Sequence, residues 1–295
     1  MHYYYLKLGP SNSEAQDWIN GKNQLSRPAV VIYFGETKVA ELIAGTGQAA
    51  DFCRAGLPKN HDQTIMIVIH SGKIWFLKPE GEVQELPTIT DWNKTQSIPK
   101  AMPVRVLLEK DLKDVSPVLA SIAASRRLGS GTFREIDNWG NIKAIEAALG
   151  RPIPPDQLKK ENMGPAQLLE CLSSTELETL VAKLFESKGC FVPAYRGGVL
   201  KDIDIFAHND SNQEIALDSL RIPSKGSLSI QVKGWAELKR PDAVDCLIGL
   251  NPKPGDGSFD AGWLLNQVRE EPKVCLWLKR SLSWLPQDFL SAYGI

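Results

Sequence analysis

The chain has almost no excess charge of either sign. Its 34 Lys and Arg stand against 35 Asp and Glu, a net of −1 over 295 residues. A broadly basic coat for nucleic acid is excluded, so any phosphate contact must come from a local patch. Cysteine is scarce: there are five, and none forms a C-x-x-C pair. That excludes a disulfide framework and a zinc knuckle. The four histidines, His2, His61, His70 and His208, are too scattered to share a metal. No G-x-S-x-G elbow is present, and AGTGQAADF lacks the G-K-[ST] ending of a phosphate loop, so it reads as a turn before a helix. No apolar run approaches the ~18 residues of a membrane helix. Met1 is followed by HYYYLKLGP, which lacks the basic and apolar regions of a signal peptide. A reducing, cytoplasmic location is the expectation, with no membrane partner.

What is there is ordinary globular material, 43% apolar and 23% charged, long enough for two domains. HYYYLKL, AVVIYFG, TIMIVIHSGKIWFLKP and VRVLLEK read as strands, with HSGK as a hairpin turn. LKDVSPVLASIAASRRL reads as a helix with Asp114 or Ser116 as cap, and NIKAIEAALG as a second, closing at Gly150. The proline-rich RPIPPDQLKKENMGPAQ then suggests a crossing between domains. The expected division is a β-rich α+β domain over 1–150, a linker over 151–166 and a mixed α/β domain over 167–295. In the latter, SSTELETLVAKLFESKG is a helix capped by Ser174 or Thr175, with Leu177, Leu180, Val181, Leu184 and Phe185 on one face. CFVPAY, DIDIFAHND, LSIQVKGW, AVDCLIGLNP and KVCLWLKR read as strands, FDAGWLLNQVREE as a loop or short helix, and 211–225 has no clear pattern.

LSIQVKGW, residues 228–235, carries the chemistry. Leu228, Ile230 and Val232 alternate with Ser229, Gln231 and Lys233, so an amide and an ammonium share one face of a strand. In DIDIF, Asp204 shares its face with Asp202 and Phe206. If the two strands pair, a carboxylate, an amide and an amine meet on one surface, and Glu178 on the helix can add a second carboxylate. Phosphodiester cleavage needs such a set: oxygen ligands for a hard cation, and a fixed positive charge for the phosphate. A wet edge strand is the plainer reading of the same residues.

At these positions the sequence resembles the PD-(D/E)XK nuclease superfamily, and more narrowly its Mrr-like restriction endonuclease branch. The features are Glu178 in ELETLVAKLFESKGCFV, Asp204 in RGGVLKDIDIF, and Gln231 and Lys233 in IQVKGW. The likeness covers about residues 172–235. It implies a restriction-endonuclease-like domain with a central mixed sheet flanked by helices. It also implies an endonuclease dependent on Mg²⁺ or Mn²⁺, acting on double-stranded DNA in restriction or defence, with a homodimer as one arrangement. By that resemblance Asp204, Gln231, Lys233 and Glu178 are catalytic. Asp204, Gln231, the Val232 carbonyl and Glu178 would hold the metal. Two departures stand out. Leu200 and Lys201 occupy the place of a glycine before the Asp, and the gap from Asp204 to Gln231 is long. Asp202 is therefore a competitor for the metal, and Gln231 replaces a usual Glu, which keeps open an inactive domain that only binds nucleic acid.

Other features weigh less. Arg126, Arg127 and Arg134 form a small basic cluster. Arg196, Lys201, Lys225, Lys239 and Arg240 flank the proposed site and could follow a phosphate backbone. Most of Trp18, Trp75, Trp92, Trp139, Tyr3, Tyr4 and Tyr5 are expected in the core, with one or two lining a pocket that could stack a base. The N-terminal part faintly resembles EVE or PUA-like domains, which implies a target reader. A domain that senses a nucleotide and switches on a nuclease is a further alternative.

Overall fold

The computed structural model describes residues 1–9, 12–91, 93–124, 132–151, 164–193, 203–234 and 239–295. The chain forms two compact units, 1–137 and 138–295. Both mix helices with sheet.

The first unit is built on strands β1 (His2–Leu6), β2 (Ala29–Tyr33), β3 (Thr64–His70), β4 (Lys73–Pro79), β5 (Gln84–Glu85), β8 (Pro99–Asp111) and β9 (Phe133–Glu135), with a small β6–β7 hairpin (Ile89–Thr90, Gln96–Ser97) beside them. The order is β2-β8-β4-β3-β1-β9, with β5 also on β8. β1 and β3 run parallel, and the other pairs are antiparallel. The HSGK turn forms as expected: Ser71 and Gly72 both take positive φ, 48° and 76°, the backbone twist that a two-residue hairpin favours. β8 pairs with β4 over residues 104–111 and with β2 over 99–103. One long strand thus serves two neighbours, and the sheet curls. Apolar residues of β2, β3 and β4 fill the core with Phe52, Cys53 and Phe133. The helix expected over 112–128 is broken. A 3-10 turn at Leu112–Asp114 precedes helix α4 (Pro117–Ala120), which follows α1 (Ala15–Ile19), α2 (Val39–Ala44) and α3 (Gln48–Ala55), and a second 3-10 turn lies at Ser121–Ala124. Ser116 occupies the cap position, but its hydroxyl is buried and bonds no group among the described residues.

The second unit begins with helix α5 (Trp139–Ala148), which sequence reasoning had placed with the N-terminal part. Close contact explains the difference. A Cβ on Gly140 would lie 2.1 Å from the Glu170 carbonyl oxygen, and Trp139 packs beside Phe289. Only glycine lets the two backbones approach so closely. Helix α6 (Pro165–Leu169) and the long α7 (Ser174–Ser187) follow. Ser173, one residue earlier than expected, caps α7. Its hydroxyl accepts from Glu176 N–H, while the Glu176 carboxylate accepts from Ser173 N–H, a reciprocal capping box. Leu177, Leu180, Val181, Leu184 and Phe185 are all buried, and Gly189 stops the helix at φ +93°.

The second sheet orders β10 (Ile205–His208), β13 (Ser227–Lys233), β14 (Cys246–Gly249) and β15 (Ser258–Phe259). The first pair is antiparallel and the next two parallel, a mixed sheet flanked by helices. The unpatterned stretch holds a hairpin, β11 (Ile215–Leu217) and β12 (Leu220–Ile222). The buried amide of Asn209 anchors it by donating to Gln213, Ile222 and Pro223 carbonyls. CFVPAY supplies only one bridge, Phe191 with His208, among the described residues. FDAGWLLNQVREE contains helix α8 (Ala261–Arg269), capped by Asp260 through Trp263 N–H. KVCLWLKR, expected as a strand, is part of helix α9 (Pro272–Ser281). Pro272 suits its first turn, and Val274 and Leu278, four apart, are the buried pair. An apolar run this short fits either period, and packing against α7 and α8 decided it. Helix α10 (Gln287–Ala292) closes the unit. Among the described residues no helix is long and apolar enough to cross a membrane.

Candidate functional site

The β10–β13 ladder brings the sequence-selected residues together. Ile205 stands opposite Ile230, and Asp204 N–H donates to the Ile230 carbonyl at 2.9 Å. That bond is out of step with the ladder, whose last pair is Ile205 with Ile230, and it holds the Asp204 backbone against the end of β13. Leu228, Ile230 and Val232 enter the core, so Gln231 and Lys233 look out on the opposite face with Asp204.

One carboxylate oxygen organises the end of β13. Asp204 Oδ2 accepts from Val232 N–H at 2.8 Å and from Lys233 Nζ at 3.2 Å. Val232 lies past the last paired position of β10, so its N–H goes to a side chain instead of a strand carbonyl. Its carbonyl shares that edge, because one residue's N–H and C=O face the same neighbour in an antiparallel ladder. The Lys233 and Asp204 side chains are 34% and 18% exposed, so both remain reachable from solvent. Gln231 is different. It is 3% exposed, and its Oε1 has no hydrogen-bond partner among the described residues. An unsatisfied buried amide oxygen costs ~1–3 kcal/mol, which any donor or cation reaching it would offset.

Glu178 stands half-buried on α7, next to Leu177. Leu177 comes within 3.7 Å of where a Cβ on Gly234 would sit, so this part of α7 passes over the end of β13. Asp202 lies outside the described residues, as do Arg126, Arg127, Arg196, Lys201 and Trp92. Among the described residues no three His, Cys, Asp or Glu side chains gather as a metal cluster. The oxygen set at the strand end is instead one carboxylate, one amide and one peptide carbonyl. That set suits a hard cation, which takes oxygen ligands and keeps several waters, and the orphaned Oε1 is the atom that such a cation would satisfy.

Other candidates have separate duties. Lys225 donates to the Asp210 carbonyl, and Arg240 to the Val244 and Asp256 carbonyls, so both tie loops. Burial pushes the thiols up, to about 11 for Cys53 and Cys190 and about 12 for Cys246, which removes them as nucleophiles near neutral pH. In the first unit, Glu14 accepts from Tyr33 O–H at 2.5 Å and Trp18 N–H at 3.2 Å. Burial and that carboxylate hold the Tyr33 phenol far above its ordinary range. Trp75 N–H goes to Glu109. The backbone contact of Val232 was invisible to sequence reasoning, since it depends on where β10 stops.

No protein-family profile, no curated protein and no solved structure matches the chain. What the strand end can do follows from its own atoms.

Proposed function

We propose that the chain is a divalent-metal-dependent nuclease, with the second unit hydrolysing phosphodiester bonds and the first selecting the target. The observation that carries this reading is the meeting of Asp204, Lys233 and the Val232 peptide beside the orphaned Gln231 oxygen. The resemblance to the Mrr-like branch of PD-(D/E)XK nucleases supports it. Asp204, Gln231 Oε1, the Val232 carbonyl and Glu178 would hold the ion. A bound Mg²⁺ or Mn²⁺ supplies charge for the phosphate oxygens and a more acidic water. Asp204 holds the Lys233 ammonium in place before substrate arrives. With a phosphate present, that ammonium donates to the oxygens on which negative charge grows, where a fixed donor stabilises most. DNA is the proposed substrate, and cutting both strands would use two copies of the chain.

A second reading is a nucleic-acid-binding protein without turnover. The neutral Gln231 and the single strand carboxylate favour it, since both lower the charge available to a cation. Cleavage of supercoiled plasmid, methylated and unmethylated, with Mg²⁺, Mn²⁺ or EDTA separates the two. Nicking that needs metal and disappears in Lys233→Ala, with the fold intact by circular dichroism, supports the nuclease. Retention of DNA with no metal-dependent nicking supports the binding module.

A further inference from the structure

The face that bears Asp204 continues into a row of rings. Side chains alternate along β10, so Phe206 and His208 look one way while Ile205 and Ala207 are buried the other way, and Asp204 just before the strand meets Lys233 of the outward face. Phe191 joins from the strand's outer side. Its N–H and C=O exchange bonds of 2.8 and 2.9 Å with His208, and residues so opposed share a face. The Phe206 and His208 rings are 11° from parallel with centroids 6.3 Å apart, and those of Phe191 and His208 are 29° and 6.4 Å. Two residues of strand advance ~6.6 Å, so the ladder itself sets the spacing.

This row has no role in the core. Phe191 is 58% exposed, the only exposed Phe, Trp or Tyr among the described residues, although burying such a ring is worth ~1.5–3 kcal/mol. Its neighbours across the ladder are polar. Ser227 stands opposite His208 with its hydroxyl 2.6 Å from Nδ1, and Ser229 stands opposite Phe206. The Ser227 hydroxyl is taken by His208 and the Ser229 hydroxyl by the Asp245 carboxylate, but an apolar protein partner would strip water from the second imidazole nitrogen and from that carboxylate. A ligand of flat apolar faces edged by polar groups suits them, and the row leads along β10 to the Lys233 ammonium. Bases and phosphates have that chemistry. In a duplex the base faces are covered by stacking, so only unpaired bases can use the rings.

We infer that Phe191, His208 and Phe206 form a stacking platform for unpaired bases, so that the nucleic acid is single-stranded where it meets this sheet. This narrows the substrate away from the double-stranded DNA expected from sequence, and at its phosphate end it rests on the nuclease reading above. The test is fluorescence anisotropy of the intact protein in EDTA, with a dye-labelled oligothymidylate and a duplex of equal length. The single strand binds more tightly than the duplex. Phe191→Ala and Phe206→Ala each weaken single-strand binding ~5-fold or more, and Phe191→Tyr restores it. The slope of affinity against salt stays unchanged, because stacking releases no counterions.

Preference of the wild type for duplex overturns the inference. So does Phe191→Ala binding the single strand within about twofold of wild type; as an exposed position it tolerates truncation, and circular dichroism checks the fold. If the rings instead join two copies of the chain, Phe191→Ala lowers the mass in sedimentation without changing affinity, which also overturns it. Ring-dependent binding without any metal-dependent cleavage keeps the platform and removes the nuclease. Cleavage that persists in ring variants binding like wild type removes the platform alone.

Discussion

Two strand lysines, one in each unit, are satisfied by opposite means. Lys100 of β8 has no exposed surface. Its ammonium donates to the Gly35 carbonyl at 2.8 Å and the Phe34 carbonyl at 3.2 Å, and among the described residues no carboxylate pairs with it. Burial pushes its pKa below the ordinary lysine range, against the pull of Cys53 and Glu85. Lys233 ends β13, is one-third exposed and faces the Asp204 carboxylate. An ammonium wrapped in backbone carbonyls ties a strand to a turn and can meet nothing else. One held by a single reachable carboxylate can exchange that partner for a phosphate oxygen. Residue type and strand setting are the same, and the neighbours make one structural and the other chemical.

The sharpest test of this contrast removes each ammonium in turn. Lys233→Ala is expected to lower metal-dependent cleavage ~10³-fold, the cost of losing a donor aimed at developing charge, with little change in urea stability. Single-turnover cleavage and a denaturation curve check both halves. Lys100→Ala should do the reverse. It empties a filled site and takes the ammonium from the Phe34 carbonyl, although the Gly35 carbonyl keeps Ile98 N–H, so stability falls by ~2–4 kcal/mol while the remaining folded protein cleaves normally.

A gentler version uses pH. Since the folded state holds the Lys100 pKa below its unfolded value of ~10.4, the unfolded chain binds more protons between the two values. Stability from this group is therefore missing at neutral pH and recovered as pH rises through the folded pKa. Relative to Lys100→Met, wild type should gain stability toward pH ~10. A flat difference would mean that the buried ammonium is not desolvated as described.

Gln231→Glu sharpens the chemical side. A carboxylate at this buried position should lower stability without metal by ~1–3 kcal/mol, and added Mn²⁺ should restore it more than in wild type, read by thermal melts with and without the ion. The smallest effect belongs to the frame: Ser173→Ala removes the α7 cap for ~1 kcal/mol and leaves cleavage within experimental scatter.

β3 and β4, buried on both faces, were legible as apolar runs bounded by the HSGK turn, whereas the period-two pattern of β13 was legible because burial on one side writes itself into alternation. The α7 face was legible for the same reason at a period of 3.6. Its cap was misplaced by one residue because Ser173, Ser174 and Thr175 are all competent cap residues, and the Glu176 bond chose among them. KVCLWLKR was misread because five apolar residues in a row carry no period.

The sequence alone determined which residues could share a face: Gln231 with Lys233, and Asp204 with Phe206. Strand geometry fixes that locally, whatever surrounds the strand. Only the tertiary structure decided that these two faces are one, through the pairing of Ile205 with Ile230. It also decided that Val232 N–H reaches Asp204, that Gln231 Oε1 is without a partner among the described residues and that Phe191 joins the ring row. Those outcomes depend on strand register and on where β10 stops, which are set by long-range packing.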